Sequence, residues 1–136
     1  MTRRGLLLAC AALPLCADDA QEIWDLFTAL AAALSAGNSA EFLRHFDRSM
    51  PGYEMLQRDV TALVLQADLH SSIELLGNEG HSVELDWYLQ VVQKEDAGGS
   101  AERRERVRCR LEKQNKRWRI VSFAPLSFFT PPEPVP

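Results

Sequence analysis

Val83, Leu85, Trp87, Leu89 and Val91 alternate with Glu84, Asp86, Tyr88 and Gln90, and Val107, Cys109 and Leu111 alternate in the same way with Arg106, Arg108, Arg110 and Glu112. A period of two held over so many positions means strands with one dry face. From Ala20 to Ala67 the apolar residues recur instead at three and four. Ile23, Phe27, Leu30 and Leu34 share one face of a helix that starts at Asp18 or Asp19 and runs to about Ser35, with Trp24 and Leu26 widening the stripe. Gly37 and Asn38 stop it, and Ser39 caps a short second helix holding Phe42, Leu43 and Phe46. After a turn at Asp47 to Met50, Pro51 suits the first position of a third helix carrying Leu56, Val60, Leu63, Val64 and Ala67.

Four strands follow, over Ser71 to a turn at Gly77 to Gly80, Ser82 to Lys94, Arg103 to Lys113 and Trp118 to Ala124. A polar stretch from Asp96 to Ala101 and a tight turn at Gln114 to Arg117 join the last three. Setting Val91 opposite Val107, Leu89 opposite Cys109 and Trp87 opposite Leu111 satisfies both faces, since it also places Tyr88 by Arg110 and Gln90 by Arg108. In the last hairpin Leu111 can face either Ile120 or Val121. The pattern is α+β, a helical layer followed by a curved antiparallel sheet.

The 136 residues suffice for one domain with a core that needs neither disulfide nor metal. The first 17 residues read separately. Arg3 and Arg4, the apolar run Gly5 to Cys16 and Ala17 ahead of Asp18 have the grammar of an export signal, too short for the roughly 20 apolar residues of a transmembrane helix. A periplasmic or secreted location is expected. Thr2 to Leu7 loosely resembles a twin-arginine signal, and Leu7 to Cys10 a lipoprotein box that fits less well. Cleavage after Ala17 would leave Cys109 alone, without an internal disulfide, and would take Lys plus Arg from 15 to 13 against 19 acids. The resulting charge of about −6 disfavours nucleic acid. The domain is expected over residues 18–129, with the proline-rich 130–136 extended or disordered.

Leu30 to Phe46, Met50 to Gly52 and the Trp118-Arg119-Ile120-Val121 strand within Arg117 to Pro125 carry a resemblance to the NTF2-like superfamily, also called SnoaL-like or cystatin-like in fold, over about Asp19 to Phe129. The resemblance implies a cone, with the helices packed into the concave face of a mainly antiparallel four-stranded sheet. Such cones host isomerases, cyclases, dehydratases and epoxide hydrolases as well as non-catalytic binding domains, so the fold does not choose a function. The enzymes aim acids and tyrosines into an apolar cavity. Here the inward positions are aliphatic and aromatic, and no catalytic residue is transferred.

Candidate sites are correspondingly few. His45, Asp47 and Tyr53 fall near the expected mouth of the cone, where a histidine and a carboxylate could act as acid and base and a tyrosine could stabilise an oxyanion. Trp24, Phe27, Trp87, Leu89 and Cys109 are the expected pocket lining. His70 and His81 have no ligand spacing for zinc, and neither metal nor cofactor is expected. Arg104, Arg106, Arg108 and Arg110 project from one side of one strand as a basic band. It would either pair with Glu84, Asp86 and Glu112 or bind an anionic ligand or an acidic partner. The resemblance also allows a dimer through the outer sheet face, with Tyr88, Val92 and Phe123 or Val121 at its apolar centre. The expected function is a non-catalytic exported domain binding a small apolar molecule or a partner protein. The alternative is a small lyase or isomerase acting on an apolar substrate.

Overall fold

The computed structural model describes residues 17–94 and 99–133. The expected export signal, apart from Ala17, lies outside them, as do residues 96–98 of the expected polar connection and 134–136 of the tail. Helix α1, Ala17–Ser35, buries Ile23, Leu26, Phe27, Leu30, Ala33 and Leu34. Trp24 is 42% exposed, correcting its expected place in the buried stripe. At 100° per residue it lies beyond one edge of the arc that Ile23, Phe27 and Leu30 define, whereas Leu26 falls on the covered side.

Gly37 takes the left-handed conformation that ends α1, leaving Asn38 to cap α2, Ser39–Leu43, by accepting from the Glu41 amide at 3.0 Å. The cap is therefore Asn38 and not Ser39. Helix α3, Tyr53–Gln66, starts two residues after Pro51. Gly52 holds φ +82°, a conformation a helix interior cannot contain, and its missing side chain leaves room for Leu126.

Strands β1 (Ala67–Glu79), β2 (Ser82–Gln93), β3 (Ser100–Gln114) and β4 (Arg117–Ala124) form one antiparallel sheet in sequence order. β1 begins four residues earlier than expected and continues through Gly77, where a bulge absorbs Leu76. Ladder pairing with β2 outweighs the weak polar alternation at its start.

The β2–β3 register departs from expectation by six residues. Val91 faces Ala101, Leu89 faces Arg103 and Trp87 faces Glu105, while on the other side Tyr88 faces Arg104 and Gln90 faces Glu102. A short closure, with the Gln93 amide donating to the Gly99 carbonyl, starts β3 at Ser100. The slip is an even number, so every residue keeps its face and alternation alone could not detect it. In the last hairpin both registers left open by the sequence occur. Leu111 faces Ile120 near the turn, and beyond a bulge at Val121 the other register sets Cys109 against Phe123. The bulge turns Phe123 inward beside Trp118 and Ile120.

A 3₁₀ turn, Leu126–Phe129, closes the hollow with Phe128 and Phe129. Residues 130–133 of the expected tail end on a contact with α3. The Gln66 side chain donates to the Glu133 carbonyl and accepts from its amide, at 3.1 and 2.9 Å. On the opposite edge, β4 meets the chain after α2. The Asp47 amide donates to the Ile120 carbonyl and the Ile120 amide to the His45 carbonyl.

Asp47 strengthens that junction. One carboxylate oxygen accepts from the Ser49 amide and hydroxyl, and the other accepts from Gln114 at 2.8 Å. The Gln114 bond, then those from Ser49, lowers its carboxyl from 3.8 to about 2. In the unfolded chain the ordinary value returns, so this stabilisation is complete above about pH 4 and is lost as the pH falls toward about 2. The melting-temperature gap between the wild type and Asp47→Asn should therefore be widest above pH 4 and close in acid, and a gap independent of pH would refute the assignment. Trp87→Ala should cost about 3–5 kcal/mol in urea unfolding, whereas a loss below about 1 kcal/mol would show that its ring is not the centre of the core.

Candidate functional site

The hollow between the helices and the concave face of the sheet is occupied by side chains. Trp87 is fully buried, its indole donating to the Ser71 hydroxyl at 2.8 Å. Its ring lies 5.4 Å from Phe129, 5.8 Å from Phe123 and Phe128, and 6.5 Å from Phe42. Phe42 continues the stack to Phe46 at 5.1 Å. These are ordinary edge and tilted aromatic distances, so the rings fill the space between sheet and helices. Among the described residues no polar or charged side chain is buried.

Of the expected pocket lining, Phe27, Trp87, Leu89 and Cys109 are core, and Trp24 lies on the surface. Burial pushes the Cys109 thiol up, which keeps it protonated and unreactive.

The expected mouth residues separate. Tyr53 is partly buried against the core and shares an open groove of about 550 Å³ with Asp47. His45 faces a neighbouring groove of about 290 Å³ that also contains Glu22, Asp25 and Trp118. Its Nε2 is shut away from solvent, 3.5 Å from Glu41 Oε2, with no hydrogen-bond partner among the described residues. Burial, then the Arg44 guanidinium, pulls its pKa below the ordinary imidazole value. Asp47 spends its oxygens on Ser49 and Gln114. The structure therefore does not bring His45 and Asp47 together as an acid-base pair.

Arg44 and Arg119 line both grooves, and Arg48 lines the larger one. Sequence reading passed over these three. They come from a helix end, a turn and a strand 71 residues beyond Arg48, and only the parallel pairing of the 44–48 segment with the edge of β4 gathers them. Arg103 was also missed. It points to the inner side at the level of Leu89, donates to the Phe128 carbonyl at 2.7 Å, and has its pKa lowered by burial. Among the described residues no cluster of histidine, cysteine and acids is arranged to hold a metal.

On the outer side of the sheet the expected band is present with different partners. Asp86 takes Arg104 through two nitrogens, at 3.1 and 2.6 Å, while Arg106 and Arg108 approach Glu84 only to 3.8 and 4.0 Å. Tyr88 lies opposite Arg104, its hydroxyl pKa raised first by burial and then by Glu102. At the end of this face carrying both bulges, Glu79, Ser82, Glu84, Arg108 and Arg110 border an open groove of about 640 Å³.

No family model matches the chain, and no curated protein does. Solved structures do. A conserved protein from Planctomyces limnophilus superposes with a TM-score of 0.69 at 9% identity, over 78% of this chain and 93% of that one. A protein of unknown function with a cystatin-like fold from Nostoc punctiforme gives 0.54 at 23% identity, over 80% and 90%. An NTF-2 like protein of unknown function from Shewanella oneidensis MR-1 gives 0.53 at 11% identity, over 77% and 96%. With its helices seated in the hollow of a curved antiparallel sheet, the chain has the NTF2-like fold.

Proposed function

We propose that this NTF2-like domain is a non-catalytic interaction module that works through the outer face of its sheet. The observation that carries the reading is the filled hollow. Seating even a small apolar molecule there would mean displacing Trp87 or Phe129, each fully buried among other rings. The groups that could do chemistry lie apart: Asp47 is held by Ser49 and Gln114, Tyr53 packs partly buried against the core, and His45 faces a separate groove.

The outer face supports the rest. β2 presents Glu84 and Asp86 beside the β3 row of Arg104, Arg106, Arg108 and Arg110. The guanidiniums of Arg106 and Arg108 are more than two-thirds exposed, so their intrachain pairs with Glu84 contribute little to stability. One acidic row beside one basic row is complementary to itself. A two-fold axis running along the strands between β2 and β3 sets the acids of one copy over the arginines of another, so a second copy is the partner this face fits.

Two measurements test this. Nile red should keep its aqueous emission with the folded chain, and a saturable blue shift abolished by a bulkier residue at Leu89 would restore the cavity reading. In sedimentation velocity the wild type should be dimeric at micromolar concentration, Arg108→Glu should weaken the dimer by about tenfold or more without lowering the melting temperature, and Arg108→Glu with Glu84→Arg should recover most of the loss. A wild type that stays monomeric would refute the second-copy reading.

A further inference from the structure

The 550 Å³ groove lies between α2, the 44–48 segment, the start of α3 and the edge of β4. Its charged lining is Arg44, Arg48 and Arg119 against the single carboxylate of Asp47. We infer that it is an oxyanion-binding site for a small organic acid or phosphate ester, separate from the outer sheet face.

The guanidiniums differ in what they already hold. Arg44 is bound by two nitrogens to Glu41, at 3.2 and 2.9 Å, and Arg119 donates to the Arg44 carbonyl. These bonds hold both guanidiniums in place, which reduces the ordering cost when an anion arrives. Glu41 occupies the Nε–Nη2 edge of Arg44 and offsets its charge, so Arg48 and Arg119 supply the positive charge of the groove. Arg48 is exposed and makes no ion pair among the described residues, so its planar donor edge is available for bidentate contact. Asp47 makes no ion pair with Arg48 among the described residues, and its oxygens already accept from Ser49 and Gln114.

The remaining wall suits an organic anion better than a bare ion. Tyr53 presents a half-buried ring, Leu43 and Phe46 contribute apolar edges, and Gln57 offers an exposed amide. The volume is within the range of small-molecule sites, roughly 300–1,000 Å³. This cationic concavity stands out on a chain of net charge −4, where steering of an anion must come from a local cluster.

The test is a titration of the full chain, followed through the arginine Nε–Hε resonances, with inorganic phosphate and separately with sodium benzoate at constant ionic strength. Saturable shifts should centre on Arg44, Arg48 and Arg119. Arg48→Gln should weaken binding by about tenfold, while Arg58→Gln, an exposed arginine on α3 outside the groove, should leave it unchanged. Tighter binding of benzoate would assign carboxylic acids with an apolar body, tighter binding of phosphate would assign phosphate esters, and either supports the site. Shifts that rise without saturating, or an affinity unaltered by Arg48→Gln in a chain that still melts like the wild type, would mean an adventitious ion only and would overturn the inference.

Discussion

The contact of Trp87 with the phenylalanines around it holds the two layers together. β2 supplies the tryptophan, α2 supplies Phe42, β4 supplies Phe123, and the 3₁₀ turn supplies Phe128 and Phe129. A curved sheet leaves a hollow that helices alone do not fill, because their cylinders meet a concave surface with gaps between them. Large flat rings close those gaps at near-crystalline density and remove much apolar area from water. Local features follow from this packing. The bulge at Val121 turns Phe123 into the stack, and Gly52 lets Leu126 approach closely enough to seat the 3₁₀ turn.

The filled hollow is the observation on which the proposed surface function rests. An enzyme on this fold would need a group whose charge is perturbed by burial beside a cavity that admits substrate. Here the buried thiol of Cys109 is locked in its protonated form, and His45, whose charge burial does perturb, faces the smaller groove, which Asp47 does not line. Polar chemistry is concentrated in two exposed places instead. One is the outer sheet face, with its adjoining acidic and basic rows, and the other is the groove where the 44–48 segment pairs with the edge of β4. Both use arginine, whose charge persists at any ordinary pH and whose planar fork suits carboxylates and phosphates.

The junction at the edge of β4 links stability to surface chemistry. The backbone bonds from His45 and Asp47 to Ile120 extend the sheet edge by one irregular segment, and the Asp47 carboxylate reaches Gln114 at the end of β3. The same junction places Arg44 and Arg48 beside Arg119. A residue that reads as half of an acid-base pair is thus a tie that shapes a cationic groove.

Periodicity alone determined the α+β class, the three helices, the four strands and the inward set from Val83 to Val91 and Val107 to Leu111, because each is written in local spacing. It did not determine the β2–β3 register, since a slip of six residues preserves every face, nor the choice at Leu111, where a bulge lets both registers exist. Trp24 misled because an aromatic next to a stripe resembles part of it until the helix is packed. The arginines of the groove were unreadable because they lie far apart along the chain. Local patterns report which way a side chain faces, while the choice of neighbour across a strand or a junction is made only when the whole chain packs around Trp87.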